Sequence, residues 1–174
     1  MSIDSAEIYP ELRNAGILIR LLVPSFTERK FRLAKVALQS LKGKCRSTLN
    51  YEQIYIVRTD NSLLRLCVYS PQTPRQNVPG ILWLHGGGFA IGTPEQSERM
   101  IERFVDSSGC VVVSPDYRLS IDAPYPAALE DSYAALLWLK TNGSAYGMRD
   151  DQLMVGGESS GGGLAVAVAL YARD

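Results

Sequence analysis

The chain has 174 residues, 46% of them hydrophobic, which suffices for one domain with a single core. The 18 Lys and Arg balance the 18 Asp and Glu, so the charge does not indicate binding to nucleic acid or to an anionic membrane surface. The cysteines, Cys45, Cys67 and Cys110, are odd in number and lack metal-site spacing, which predicts free thiols rather than a disulfide framework or a zinc site.

The N-terminal part predicts a helix and no targeting segment. Its first residues are acidic where a signal peptide is basic, and the apolar run at 16–24 is short and contains Arg20. We therefore expect no membrane span and a cytoplasmic protein. Ser25 and Glu28 have capping-box spacing and predict a helix to about Leu41. Its apolar stripe is Phe31, Ala34, Leu38 and Leu41.

The next segments predict strands. Residues 51–59 and 63–70 are strand-like and are joined at Asp60 and Asn61, which predicts a hairpin. A loop with three prolines follows. Residues 80–85 then form a short continuous apolar run, which is typical of a strand buried on both faces of a parallel sheet.

Helices and strands alternate from there. Thr93 with Gln96 predicts a capped helix that Gly109 ends. Buried strands are expected at 110–117 and 152–157, with a helix between them that closes near Asn142 and a further helix after Ser160. The expected inner faces of the first two helices are Met100, Ile101, Phe104 and Val105, then Leu129, Tyr133, Leu136 and Leu137. The order predicts an α/β fold in which helices flank a mostly parallel sheet.

The motif at Gly157-Glu158-Ser159-Ser160-Gly161 is a GxSxG between a predicted strand and a predicted helix. Such a tight turn holds a serine in strained backbone, exposes its hydroxyl at a helix N-terminus, and needs the flanking glycines for space. A phosphate-binding loop is the alternative for this glycine-rich stretch. The stretch lacks a GK[ST] sequence and the GxGxxG order after a first strand, which favours a nucleophilic serine.

A second glycine-rich motif, HGGGF at residues 85–89, follows the predicted strand at 80–85. Consecutive glycines allow backbone N–H groups to point into a cavity, and acyl transfer needs such donors around its developing oxyanion. The Ser160 N–H, next to the nucleophile, would complete the set. A plain glycine turn is the alternative for this motif when it is taken alone.

These motifs carry a family resemblance. HGGGF, DYRL at 116–119, YPAALEDSYAALLWL at 125–139 and GESSGG at 157–162 occur in this order. From about residue 51 to 174 the chain resembles the hormone-sensitive-lipase-like branch of the α/β-hydrolases, which contains carboxylesterases of the bacterial acetyl-esterase type. The resemblance implies an α/β-hydrolase core at 51–174 and a helical cap at 1–50.

The resemblance also implies residue roles and a substrate class. Ser159 would be the nucleophile, with Gly157, Glu158 and Gly161 forming its elbow. Gly87, Gly88 and Ser160 would be the oxyanion donors, and His85 with Gly86 would support the oxyanion loop. The substrate would be a small-molecule ester, hydrolysed without cofactor or metal. Glu158 stands where the family usually has aspartate, and Ser160 where it usually has alanine.

The triad acid and histidine cannot be assigned in this chain. In this fold they follow the serine, yet the 15 residues after Ser159 contain no histidine, and Asp174 is their single acid. His85, the one histidine, would point away from the nucleophile. We expect a hydrolase core that stops after the elbow helix. The strand at 152–157 would then be a bare edge, to be covered by a homodimer contact or a complementing C-terminal polypeptide.

Two functions therefore remain open. One is a carboxylesterase acting on short acyl esters, with acid and base supplied by sequence outside this chain. The other is a catalytically inactive pseudo-hydrolase or fragment that binds a small ligand or a complementing chain. A peptidase of the same fold is a weaker third option, because the HGGG loop favours an esterase.

Overall fold

A single five-stranded sheet forms the centre of the molecule. The computed structural model describes residues 9–22, 27–45 and 48–174. The spatial order of the strands is β1-β2-β4-β3-β5. Their bounds are β1 Asn50–Val57, β2 Leu63–Ser70, β3 Val78–Leu84, β4 Val111–Pro115 and β5 Met148–Gly157.

The strand pairing confirms the predicted topology. β1 and β2 form the expected hairpin, in antiparallel register from Asn50 opposite Ser70 to Val57 opposite Leu63. Asn61 closes the turn in left-handed backbone at φ 63°. β2 also pairs antiparallel with β4, whereas β3 runs parallel to both β4 and β5. The sheet is therefore mixed, with its parallel part on the side that carries the glycine-rich motifs.

Five α-helices accompany the sheet within the described residues. They are α1 Pro10–Leu22, α2 Glu28–Gln39, α3 Glu98–Ser108, α4 Ala127–Asn142 and α5 Ser160–Arg173. α2 begins at Glu28 after Thr27, later than the predicted start, and Ser25 lies outside the described residues. α1 was not predicted, because the apolar run at 16–24 covers only its second half. The other three helices confirm the predicted alternation.

The side chains of the strands alternate between two hydrophobic clusters. Leu64, Leu66 and Val68 of β2 face the cluster that contains α4 and α5. Cys67 and Tyr69 face the opposite side, where Ile101 and Val105 of α3 pack. Two residues predicted on inner helix faces, Met100 and Leu137, are instead exposed. Each lies next to a buried position at the margin of its apolar stripe.

The strand β5 is an edge strand. Among the described strands it pairs only with β3, and none of residues 152–157 is buried, so the expectation of a third buried strand is wrong. The edge position itself was expected. The adjoining helix α5 buries Leu164, Ala165 and Val168, while its outer face is exposed. The exposed apolar residues there are Met154, Val166, Leu170 and Tyr171.

Two features are absent from the described ranges: a disulfide bond and a helix that could cross a membrane. Cys67 and Cys110 are buried and Cys45 is half-buried, and none of the three forms a disulfide within the described residues. Among residues 9–22, 27–45 and 48–174, none of the helices combines the length and the apolar character that a membrane crossing requires.

Candidate active site

Ser159 lies in the turn between β5 and α5, as predicted. Its backbone has φ 53° and ψ −122°, and the helix begins at the next residue, Ser160. A non-glycine residue in such backbone costs about 1–3 kcal/mol and persists only where its surroundings enforce it. The side chain is exposed. The fold therefore presents a hydroxyl at a helix N-terminus, where the helix dipole favours developing negative charge.

Close packing explains the glycines beside this serine. A Cβ on Gly157 would lie 2.4 Å from the carbonyl oxygen of Gly161, and a Cβ on Gly161 would lie 2.1 Å from the carbonyl oxygen of Leu84. Backbone atoms cannot move out of the way as a flexible side chain can. Glycine is thus required at both positions for the turn to pack against the end of β3.

The glycine loop after β3 contacts the same turn. A Cβ on Gly86 would be 3.3 Å from the Cβ of Ser159, so the two backbones pass close together. Gly87 and Gly88 have φ values of 129° and 61°. The Gly87 carbonyl accepts hydrogen bonds from the N–H groups of Ala90 and Ile91, both at 3.1 Å, which closes the loop into a turn.

Three backbone donors in this region remain available. Within the described part of the chain, the N–H groups of Gly87, Gly88 and Ser160 have no backbone carbonyl as partner outside regular helices and strands. Ser160 is the first residue of α5, where helical geometry leaves the N–H without a partner. The structure thus brings the predicted donor residues and the predicted nucleophile to neighbouring turns.

His85 lies beneath the glycine loop, fully buried. Its Nδ1 is 3.0 Å from the carbonyl oxygen of Gly86, and its ring stacks on Tyr117. Its Nε2 has no hydrogen-bond partner among the described residues. Burial lowers the pKa of His85, opposed by its contact with the Gly86 carbonyl. No hydrogen bond joins it to Ser159 in the described structure.

The turn before α3 braces both glycine-rich segments. This 3-10 turn, Pro94–Ser97, starts at Thr93, whose N–H donates to Gln96 Oε1 at 3.3 Å. The Gln96 amide donates from Nε2 to the Gly86 carbonyl at 3.0 Å. The Ser97 hydroxyl donates to Glu158 at 2.9 Å. The capping pattern of Thr93 and Gln96 located the turn, but nothing in the sequence indicated these contacts.

A buried ion pair under this turn was not predicted. Arg65 and Glu95 are 2.6 Å apart, and their side chains are 8% and 2% exposed. Asp116 also contacts Arg65, at 3.3 Å. Burial by itself would raise the pKa of Glu95, but hydrogen bonds from Arg65 and from the Gly43 N–H outweigh it and lower the pKa to about 2. The sequence feature that could have indicated this ion pair is Arg65 itself, a charged residue inside the apolar run of β2.

An apolar cleft of about 360 Å³ opens beside the glycine loop. Gly88 and Phe89 form one wall, and the segment before α4, the start of α4 and the first half of α5 form the others. The apolar side chains in its lining are Phe89, Ala123, Ala128, Leu129, Leu164 and Ala167, together with Tyr125. Its size and lining suit an apolar group of a small molecule.

The described residues contain no group of three or more His, Cys, Asp or Glu side chains that could hold a metal ion.

The chain is similar to known proteins in sequence and in fold. The model of a family described as alpha/beta hydrolase fold matches residues 81–174. A carboxylesterase of Mycobacterium tuberculosis, NlhH, is 36% identical over 107 residues, which cover 62% of this chain and 34% of that protein. The acetyl esterase of Salmonella schwarzengrund is 35% identical over 107 residues, covering 62% of this chain and 32% of that protein.

Solved structures extend the likeness to the N-terminal part. A bacterial heroin esterase superimposes with a TM-score of 0.82 at 29% identity, covering 99% of this chain and 55% of that one. The chain thus spans about a third of the length of the curated carboxylesterase and acetyl esterase that it matches, and about half of this solved structure.

The family match at residues 81–174 contains the glycine loop and the serine turn, two of the motifs on which the resemblance to the hormone-sensitive-lipase-like branch rests. The chain belongs to the family of the alpha/beta hydrolase fold, with carboxylesterases and acetyl esterases among its relatives.

Proposed function

We propose that this chain carries the nucleophile and the oxyanion site of a serine carboxylic-ester hydrolase that acts on esters with short acyl groups. The observation that carries the proposal is the left-handed Ser159 at a helix N-terminus, packed against a glycine loop with free N–H donors. The names of the relatives, carboxylesterase and acetyl esterase, support the same reaction. The apolar cleft beside Gly88 is suited to the acyl or the alcohol group.

The reaction would proceed through an acyl-enzyme. The Ser159 oxygen attacks the ester carbonyl carbon while its proton passes to a base. The carbonyl oxygen becomes an oxyanion, which the N–H groups of Gly87, Gly88 and Ser160 stabilise; each such donor is worth about 3–4 kcal/mol of barrier. The alcohol leaves with a proton, and water then releases the acid from Ser159 by the same steps.

The base and its acid are proposed to come from sequence outside these 174 residues, whether in the same polypeptide or in another one. The single histidine of the chain, His85, is buried against Tyr117 and has a lowered pKa, so it is poorly placed to take the Ser159 proton. The edge of β5 and the outer face of α5 offer a surface for such a polypeptide or for a second copy of the chain. Without a base, the oxyanion donors and substrate binding retain only about 10³–10⁴ over water.

The same observation favours a second candidate. A chain with a serine turn and an oxyanion loop but no available histidine would bind a small ester or acid without turnover. In this second candidate the cleft and the N–H donors still bind the ligand, but no ester is hydrolysed. The two candidates differ in whether Ser159 can be acylated once a base is supplied.

The N-terminal segment is proposed to act as a cap, separate from the core at 51–174. α2 lies over the segment that follows β4, where Lys35 pairs with Asp122 at 2.5 Å. Lys42, just after the helix, pairs with Asp116 at 2.7 Å. Polar contacts of this kind permit movement more readily than an apolar interface does. Deleting residues 1–50 is expected to change KM and substrate preference more than it disrupts the sheet.

Chemical rescue tests the proposed function. The purified chain should hydrolyse p-nitrophenyl acetate barely above Ser159→Ala, because no base is in place. Added imidazole should raise the rate of the unsubstituted chain well above that of Ser159→Ala in the same buffer, and peptide fragmentation should find the acetyl group on Ser159. Ser107→Ala, a change on the exposed side of α3, should behave as the unsubstituted chain does.

Three results would contradict it. Equal rates for the chain and Ser159→Ala in imidazole would favour the binding protein. An acetyl group at another residue would reject Ser159 as nucleophile. Robust turnover without imidazole that His85→Ala abolishes, with the fold intact, would identify His85 as the base.

A further inference from the structure

Phe89 extends the left-handed part of the glycine loop by one residue. Its φ is 61°, directly after Gly87 at 129° and Gly88 at 61°. The two glycines adopt this backbone freely, but a phenylalanine does not, because its Cβ crowds the neighbouring carbonyl. The loop therefore depends on contacts that hold Phe89 in place.

Two hydrogen bonds hold the Phe89 backbone in place, one at its N–H and one at its carbonyl. The Phe89 N–H donates to the Ser160 hydroxyl oxygen at 3.3 Å. The Phe89 carbonyl accepts from the Ser120 N–H at 2.8 Å. The second bond fastens the loop to the segment after β4. The first fastens it to the elbow itself, one residue beyond Ser159 and 71 positions away in the sequence.

We propose that the Ser160 hydroxyl is a positioning group, which holds the glycine loop in register with Ser159 by accepting the hydrogen bond of the Phe89 N–H. The proposal rests on the proposed function of Ser159. Ser160 would then have two roles. Its backbone N–H would be an oxyanion donor, and its hydroxyl would hold the loop that carries the other two donors, Gly87 and Gly88. Alanine, the usual residue at this position in the branch that the chain resembles, has the backbone N–H but no hydroxyl to accept the Phe89 hydrogen bond.

The consequence for the oxyanion site is geometric. The donors Gly87 and Gly88 directly precede Phe89. When the Phe89 N–H loses its hydrogen bond, this end of the loop can move, and the two donor N–H groups lose their fixed orientation. Hydrogen-bond donors stabilise an oxyanion best when they are already aligned before charge develops. Loss of the hydroxyl should therefore weaken anion binding at the three N–H groups while leaving the sheet unchanged.

Amide hydrogen exchange of the ¹⁵N-labelled chain tests the tether. In Ser160→Ala we expect the Phe89 amide to exchange about tenfold faster or more, and in Ser160→Thr, which keeps the hydroxyl, within about twofold of the unsubstituted chain. The amide of Val112, in the buried strand β4, should be unchanged in both and so report an intact fold. An unchanged Phe89 amide in Ser160→Ala, or a fast one in Ser160→Thr, would overturn the proposal.

Titration with phenylphosphonate, followed by the amide shifts of Gly87, Gly88 and Ser160, tests the positioning role. The anion needs no base, so its binding does not depend on turnover. We expect saturable shifts at these amides, a Kd about fivefold weaker in Ser160→Ala, and a Kd within twofold of the original in Ser160→Thr. An equal Kd in Ser160→Ala would overturn the positioning role alone. No shift at any of the three amides would overturn the oxyanion site, and this proposal with it.

Discussion

Tyr117 stacks on His85 with ring centroids 4.1 Å apart and planes 8° from parallel, and its hydroxyl donates to the His85 carbonyl at 2.7 Å. Both side chains are almost fully buried. Tyr117 thereby holds the backbone from which the glycine loop departs and covers one face of the imidazole. Because burial is the main cause of the lowered pKa of His85, this packing keeps the ring neutral at pH 7.

The free energy of unfolding should fall as the pH drops below 6.5. The folded chain resists protonation of His85, while the unfolded chain accepts a proton at the ordinary pKa of 6.5, so acid favours unfolding. Urea unfolding between pH 7.5 and 5 measures this slope. In His85→Gln the slope over this range should be nearly absent. An equal slope in both proteins would show that His85 is not the titrating group.

Tyr117→Phe isolates the hydrogen bond from the stacking. The change removes only the hydroxyl, which leaves the buried His85 carbonyl without that donor. We expect a loss of about 1–2 kcal/mol of unfolding free energy by urea denaturation. Tyr125→Phe, at a tyrosine that is 84% exposed, is the matched control and should change stability by less than about 0.5 kcal/mol. Equal effects at the two tyrosines would contradict the prediction.

Glycine at position 159 should stabilise the fold relative to alanine. The backbone at φ 53° and ψ −122° strains any residue with a Cβ, so Ser159→Ala keeps the strain and Ser159→Gly relieves it. We expect Ser159→Gly to be about 1 kcal/mol more stable than Ser159→Ala, measured by thermal or urea unfolding. Both variants lack the hydroxyl, so neither should be acylated. A less stable glycine variant would show that the turn is not strained.

Two glycines of α5 should respond to alanine in opposite directions. A Cβ on Gly161 would lie 2.1 Å from the Leu84 carbonyl oxygen, whereas a Cβ on Gly163 would meet nothing within 4 Å. Gly161→Ala should destabilise the chain by about 2 kcal/mol or more, or prevent folding. Gly163→Ala should stabilise it by about 0.5–1 kcal/mol, since alanine favours the helix. The pair would falsify the packing described for the elbow if both were neutral.

Removal of the Glu95 charge should be costly, because among the described residues it leaves the buried Arg65 with Asp116 as its one remaining ion-pair partner. Glu95→Gln should lower the unfolding free energy at pH 7 by about 3–5 kcal/mol. Its exposed counterpart is Glu28→Gln, which breaks the surface pair with Arg32 and should cost less than about 0.5 kcal/mol.

The same carboxylate should govern stability in stronger acid. The folded pKa of Glu95 is lowered from 4.5 to about 2, so its contribution is present above pH 4.5 and is lost as the pH falls from 4.5 towards 2. Glu95→Gln should lack this part of the acid transition in urea unfolding at pH 5, 4 and 3. A loss of stability over this range equal to that of the unsubstituted chain would assign it to other carboxylates.

The local sequence pattern was sufficient to predict the serine turn. Gly157 and Gly161 flank Ser159 between an apolar run and a helical pattern. This arrangement predicts a tight strand-to-helix turn, because only glycine fits where the turn meets the end of β3. The hairpin at Asn61 and the Gly109 helix end were predictable for the same reason: each needs left-handed backbone, which few residues adopt. The family resemblance rests on such short-range patterns.

Only the tertiary structure decided how these pieces support each other. The Arg65–Glu95 pair, the Ser97–Glu158 contact and the Phe89–Ser160 hydrogen bond each join residues at least 30 positions apart. The edge position of β5 was expected, but the exposure of its side chains was not, because its apolar residues resemble those of a strand buried on both faces. Apolar periodicity records which face of an element is buried, but a polar contact depends on where the fold carries both partners.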